Sequence, residues 1–112
     1  MEVRAIARHA PIAPKKARLI LDEIRGKRVD EAMALLRFIP TPHARIIAKA
    51  VRSAVANAEN NYNLVPRTLR VSKAWVGDGV TFKRTLPRAR GRADIMRRRR
   101  SNITIVVQDE EL

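Results

Sequence analysis

KRTLPRARGRADIMRRRR, residues 83–100, carries nine basic side chains and one carboxylate, Asp94. On its upstream side Thr68 to Val76 (TLRVSKAWV) is rich in β-branched and aromatic residues. Downstream, Ile103 to Val107 (ITIVV) is a short continuous apolar run, and both patterns are those of strands. The basic stretch is therefore a long excursion between paired strands. Ordered loops beyond about 12–15 residues without structure of their own are uncommon and usually functional. The flanks predict that both strands continue outward as a hairpin arm over 78–100. Gly77-Asp78-Gly79 forms its base and Leu86-Pro87-Arg88-Ala89-Arg90-Gly91 its turn. At about 3.3 Å per residue, Gly79 to Leu86 carries the turn roughly 26 Å from the body. Residues 83–100 hold a net +8 of the chain's +13. An arm so charged has no core to fold on, and its guanidinium groups repel one another unless phosphates lie between them, so its partner is a polyanion.

The rest of the composition agrees. The 112 residues suffice for one domain with a modest core, the body being 1–77 and 101–112 and the arm 78–100. Up to Tyr62 there are 12 basic and 6 acidic residues, and from Asn63 onward 12 and 5, so the excess is spread over the whole domain as well as concentrated in the arm. That distribution implies contact on several sides. Cysteine is absent, which excludes disulfides, zinc knuckles and thiol chemistry. No apolar run approaches the about 18 residues of a membrane span, and the first residues, MEVRAIARHAPIAP, hold no secretory core, so a soluble cytoplasmic protein is expected. One Trp, one Tyr and two Phe offer few platforms for stacking bases, so backbone and shape recognition is expected.

Val3, Ala5 and Ala7 alternate with Glu2, Arg4, Ile6 and Arg8, a weak strand pattern. From Pro14 the spacing turns helical, with Ala17, Ile20, Leu21 and Ile24 on one face and Gly26 as the stop. Lys15, Lys16 and Arg18 crowd the first turns, where positive charge opposes the helix dipole; a bound phosphate would reverse that, and plain solvation is the alternative. A second helix is expected from Asp30 as N-cap through Ala32, Leu35, Leu36 and Ile39, closing before Pro40. The third and longest has Thr41 as cap, Pro42 at its first position and a buried stripe of Ile47, Ala50, Val51, Ala54, Val55 and Ala58, ending at Asn60-Asn61. Arg45, Lys49 and Arg52 form a basic ridge on another face, open to phosphate contact or to solvation. Three helices and about three antiparallel strands make an α+β body from which the arm projects.

Catalysis has little to stand on. His9 and His43 are the only histidines, no metalloprotease or nucleophile-elbow spacing occurs, and Gly77-Asp78-Gly79 lacks the phosphate-loop frame. The pairs Asp22-Glu23 and Asp30-Glu31 are explained by helix ends and local ion pairs. No metal or other cofactor is expected, and the protein reads as a non-enzyme. Arg97-Arg98-Arg99-Arg100 runs straight into a strand, and arginine's planar fork suits bidentate phosphate contact. Asp94 either pairs with Arg92 or another nearby arginine or is a bystander. An architectural DNA-binding protein, which also uses basic β-arms, is the strongest rival reading, although no dimer stripe is evident.

GDGVTFKRTLPRARGRADIMRRRRSNIT closely resembles the arm of the family of large-subunit ribosomal protein number twenty-two. APKKARLILDEIRGK resembles that family's first helix, and SAVANAENN its third. The likeness covers nearly the whole chain in order, with PRARGRAD its most specific part. Asn102 stands where the family often has His, and Ala13 where it often has Ser, so a polar contact and a helix cap are expected to be missing. The resemblance implies a structural constituent of the large subunit that binds large-subunit rRNA of the bacterial 23S type across several domains and assists assembly. On that basis Lys15, Lys16, Arg18, Arg25, Lys27, Lys73, Lys83, Arg84, Arg88 and Arg97 to Arg100 are expected on rRNA. Arg88, Ala89, Arg90, Gly91, Arg92 and Ala93 are expected to line the nascent-peptide exit tunnel. Neighbouring ribosomal proteins, the nascent polypeptide and nearby macrolide antibiotics are the further partners it implies.

Overall fold

The computed structural model describes residues 1–87, 89–91 and 93–109; over 82–84, 86–87, 89 and 93–98 only the backbone is described. Strand β1 (Glu2–Ala10) is followed by helices α1 (Pro14–Ile24), α2 (Val29–Phe38) and α3 (Pro42–Tyr62). A single 3-10 turn at Pro66–Thr68 then leads into β2 (Leu69–Pro87), and β3 is Ala93–Asp109. The sheet is antiparallel throughout, in the order β1-β3-β2, so the last strand in sequence is the central one. This is the expected α+β architecture of three helices on a three-stranded sheet.

Alternation decides what faces the helices. Val3 and Ala5 of β1, Val71 and Ala74 of β2, and Ile103, Ile105 and Val107 of β3 share a core with the buried stripes of all three helices. Helix α3 packs on β1 and β3, α1 on β2, and α2 against α3. Alanine at 44, 48, 50, 54 and 58 lets α3 lie close to its neighbours, because a methyl group is all that separates the backbones. On the opposite face of β3, Thr104 sits between Ile6 and Trp75, and Val106 between Arg4 and Lys73.

Helix ends account for most departures from expectation. Asp30 is not the N-cap of α2: the cap is Arg28, and Asp30 and Glu31 lie in the first turn, where their charge favours the helix dipole. Thr41 is the N-cap of α3 but makes no side-chain cap bond, and the helix runs past Asn60-Asn61 to Tyr62, where Asn63 turns left-handed at φ 56. Asn tolerates that conformation better than most residues. Thr68 belongs to the 3-10 turn instead of the strand, and its hydroxyl donates to the Val65 carbonyl at 2.7 Å. Leu86 and Pro87 are still strand, paired with Asp94 and Ala93, so the turn is shorter than predicted.

The free edge of β2 is covered by the chain leaving α1. Gly26, at φ 83, donates its N–H to the Val71 carbonyl at 2.8 Å, and Val71 N–H donates to the Lys27 carbonyl at 2.8 Å. Arg28 bridges Arg70 next to it. A left-handed residue is needed there, which is why glycine ends α1. At the far end, the N-terminal ammonium donates to Asp109 at 3.1 Å, tying β1 to the end of β3 and holding that carboxyl below its ordinary range.

Two outcomes are expected. Truncating the fully buried Ile105 to alanine should cost about 2–5 kcal/mol in urea denaturation, and a loss under 1 kcal/mol would contradict a core centred on β3. A carboxylate with a lowered folded value contributes stability above the unfolded value and loses it as pH falls through the folded one. Asp109 should therefore titrate below 3.8 by NMR, and acetylating the N-terminus should raise its midpoint.

Candidate nucleic-acid interface

Pairing of β1 with β3 ends at Ala10↔Ser101, whereas β2 and β3 stay paired from Thr81↔Arg99 out to Pro87↔Ala93. Beyond Ser101 the three-stranded sheet is thus reduced to a two-stranded ladder. The Cα radius of gyration is 17.0 Å with extents of 67 × 26 × 17 Å, against about 13 Å expected for a compact chain of this length. At the end of the ladder Arg90 adopts φ 62 and Gly91 φ 73, two successive left-handed residues that reverse the chain. Arginine at positive φ is uncommon, so this turn is held in a conformation that its sequence does not favour locally.

The transition from three strands to two is marked by bulges on both sides of β3. Arg8 and His9 of β1 oppose Asn102, and Gly79 and Val80 of β2 oppose Arg100. Each bulge inserts one extra residue and bends its strand. His9 takes φ 53, and its N–H donates to Asn102 Oδ1 at 2.9 Å. Val80 N–H donates to His9 Nδ1 at 3.2 Å, Arg100 Nη1 to the His9 carbonyl at 3.1 Å, and Asn102 Nδ2 to the Asp78 carbonyl at 3.4 Å. Histidine and asparagine thereby stitch all three strands at the root of the ladder. Gly79 suits a close approach of backbones: a Cβ there would sit 3.0 Å from the carbonyl carbon and oxygen of Arg100, tighter than an ordinary contact.

Buried Ser101 extends the same knot to α1, because its hydroxyl donates to the Ile12 carbonyl at 2.5 Å. That bond holds the chain just before the N-terminus of α1 against the ladder's root. Lys15, Lys16 and Arg18 on the first turns of α1 are exposed, and no acidic residue shares the first turn. Ala13 is the N-cap and makes no cap bond, as expected.

Other expected contacts are placed differently. Arg25 donates from Nε and Nη2 to the Ala74 carbonyl at 3.1 and 2.8 Å and from Nη1 to Asp22 at 2.7 Å, so its guanidinium braces α1 on the β2 edge. Lys27 is half-buried beside it. Lys73 is exposed on the outer sheet face and lies 3.4 Å from Glu2. Arg90 and Arg99 are exposed and Arg100 half-buried. The backbones of Lys83, Arg84, Arg97 and Arg98 pair in the distal ladder, as Lys83↔Arg97, Arg84↔Met96 and Phe82↔Arg98. Arg88, Arg92, Glu110, Glu111 and Leu112 lie outside the described residues, and so does any pairing of Asp94 with Arg92.

Composition alone missed one feature, since a single tryptophan gives no hint of its face. Trp75 is 46 % and Ile6 42 % exposed, both on the outer sheet face. Among the described residues no cluster of three metal-ligating side chains occurs, and no helix is long and apolar enough to cross a membrane.

Comparison with known proteins gives this geometry its context. The family model described as "Ribosomal protein L22p/L17e" matches residues 5–108. The chain belongs to that family. A large ribosomal subunit protein uL22 of Thermoanaerobacter sp. (strain X514) is 56 % identical over 111 residues, covering 99 % of this chain and 100 % of the relative. That of Pelotomaculum thermopropionicum is 49 % identical over 99 % of this chain and 98 % of the relative. That of Thermotoga sp. (strain RQ2) is 52 % identical over 97 % of this chain and 69 % of its own longer one. As an L22-family member the protein is a structural constituent of the large ribosomal subunit and not an enzyme.

Asn102, where the resemblance led us to expect a missing polar contact, instead both accepts from His9 and donates to Asp78. Replacing it by alanine removes both bonds at an exposed site. The expected cost is about 1 kcal/mol in urea denaturation, and an unchanged midpoint would show the knot to be incidental.

Proposed function

We propose that this L22-family protein binds large-subunit rRNA on several sides of its body and sends residues 78–100 between rRNA segments as an arm. The turn at 88–93 then forms part of the wall of the nascent-peptide exit tunnel. What carries the reading is the β2–β3 ladder that continues past the end of β1 while its sequence holds nine basic residues over 83–100. A hairpin of two strands is marginally stable alone in water, and like charges make it less so. Phosphates on either side remove the repulsion and release counterions, which makes association salt-dependent.

Within this reading Lys15, Lys16 and Arg18, held near the ladder's root through Ser101 and Ile12, bind rRNA together with Arg97 to Arg100. Lys73, Lys83, Arg84 and Arg88 add contacts along the sheet and arm; Arg25 and Lys27 sit at the β2 edge, where Arg25 already serves the fold. Arg88, Ala89, Arg90, Gly91, Arg92 and Ala93 meet the growing polypeptide, and small residues at 89, 91 and 93 allow a close backbone approach. Neighbouring large-subunit proteins adjoin the body, and macrolides bound in the tunnel lie near the turn.

Sedimentation of a lysate at moderate and high salt tests the first part, since the protein should stay with large subunits through a salt wash; release to light fractions or recovery with chromosomal DNA would overturn it. Replacing Arg97 to Arg100 by glutamine should lower the log–log salt slope of rRNA binding by roughly 3 units. Deleting Thr81 to Arg84 should change the macrolide response, and normal sensitivity would count against a turn at the tunnel wall.

A further inference from the structure

One shaped basic feature stands apart from the arm and from α1. Between α2 and the first half of α3 lies a cleft of about 930 Å³. Its floor is apolar, from Met33, Leu36, Ala44 and Ala48. Its rim is arginine: Arg37 from the last turn of α2, and Arg45 and Arg52 two turns apart on one face of α3. All three are exposed, and among the described residues none has an ion-pair partner. No carboxylate lines the cleft; the acidic residues of α2, Asp30 and Glu31, stand in its opposite, first turn.

Three unneutralised guanidinium groups around an apolar concavity focus positive potential into it. Their planar forks match phosphate oxygens, and their faces stack on bases. Phe38, which stands between the lining residues Arg37 and Ile39 without itself lining the cleft, is 87 % exposed, the most open large apolar side chain described. Arginine planes and an open aromatic ring are what unpaired RNA bases stack on, and no lysine lines the cleft. A neighbouring acidic protein segment would satisfy the charge but would leave that ring unexplained.

We propose that the α2–α3 cleft is a separate seat for an unpaired strand of rRNA, with phosphates on Arg37, Arg45 and Arg52 and a base against Phe38. This rests on the proposed rRNA binding and deepens it. It also gives Arg45 and Arg52 of the basic ridge on α3 a partner, while Lys49 lines a different groove against β1.

The absence of cysteine makes the test direct. Thr41 lines the cleft, is exposed and makes no cap bond, so Thr41→Cys can carry a tethered Fe(II) chelate in reconstituted large subunits, with Arg90→Cys as the control at the turn. Radicals from position 41 should cut a confined set of rRNA nucleotides different from those cut from position 90. The triple variant Arg37→Gln, Arg45→Gln, Arg52→Gln should lower the salt slope of rRNA binding by about 2 units, the single-strand value for three phosphates. No cutting of rRNA from position 41 while position 90 cuts, cleavage of a ribosomal protein from 41 in place of rRNA, or an unchanged slope in the triple variant would each overturn the cleft assignment and leave the arm reading intact. Failure of both positions to cut rRNA would defeat the arm reading and the cleft together.

Discussion

β3 has to satisfy two neighbours at once. From Ser101 to Gln108 it is hydrogen-bonded to β1 on one side and β2 on the other, and its inward side chains Ile103, Ile105 and Val107 are wholly buried. A strand fixed on both edges and on one face has no freedom of register, since a slip of one residue would turn its apolar side chains outward. The same backbone runs on toward the turn. The direction of the ladder is therefore inherited from the core, through a joint made of two bulges, Gly79 against the Arg100 backbone, and the bonds of His9 and Asn102. A core of modest size positions a segment too charged to position itself.

Charge is concentrated locally, with nine basic residues within 83–100. Among the described residues, ion pairs join Met1 with Asp109, Arg25 with Asp22 and Lys73 with Glu2. Exposed pairs of this kind contribute little to stability. A net charge of +13 leaves self-repulsion that weakens the free protein, and it makes attraction to a polyanion correspondingly large. Some guanidinium groups serve the fold instead: that of Arg25 closes the β2 edge by binding the Ala74 carbonyl, and that of Arg100 binds the His9 carbonyl. A charge count cannot distinguish such an arginine from one that meets phosphate.

Much of the fold was legible because its elements carry strong local signals. Proline at positions 14 and 42 opens α1 and α3, glycine at 26 ends α1, and the apolar spacing of each helix matches its buried stripe. Errors fell where local signals compete. Asp30 looked like a cap because caps and first-turn acids use the same residues. Thr68 looked like strand because β-branching does not distinguish a strand from the 3-10 turn that precedes it. Leu86 and Pro87 looked like turn because proline at the end of an edge strand resembles proline opening a turn.

The cleft between α2 and α3 was not legible at all, since Arg37 and Arg45 are brought together by helix packing and not by spacing. Nor was the knot at the ladder's root, which joins residues 9, 12, 78, 80, 100, 101 and 102. The sequence by itself determined the helices, the strands, the concentration of basic residues over 83–100 and the family, because periodicity, capping and charge are local properties of the chain. Only the tertiary structure decided which strand is central, which arginines brace the fold and which rim the α2–α3 cleft, because each depends on contacts between residues far apart along the chain.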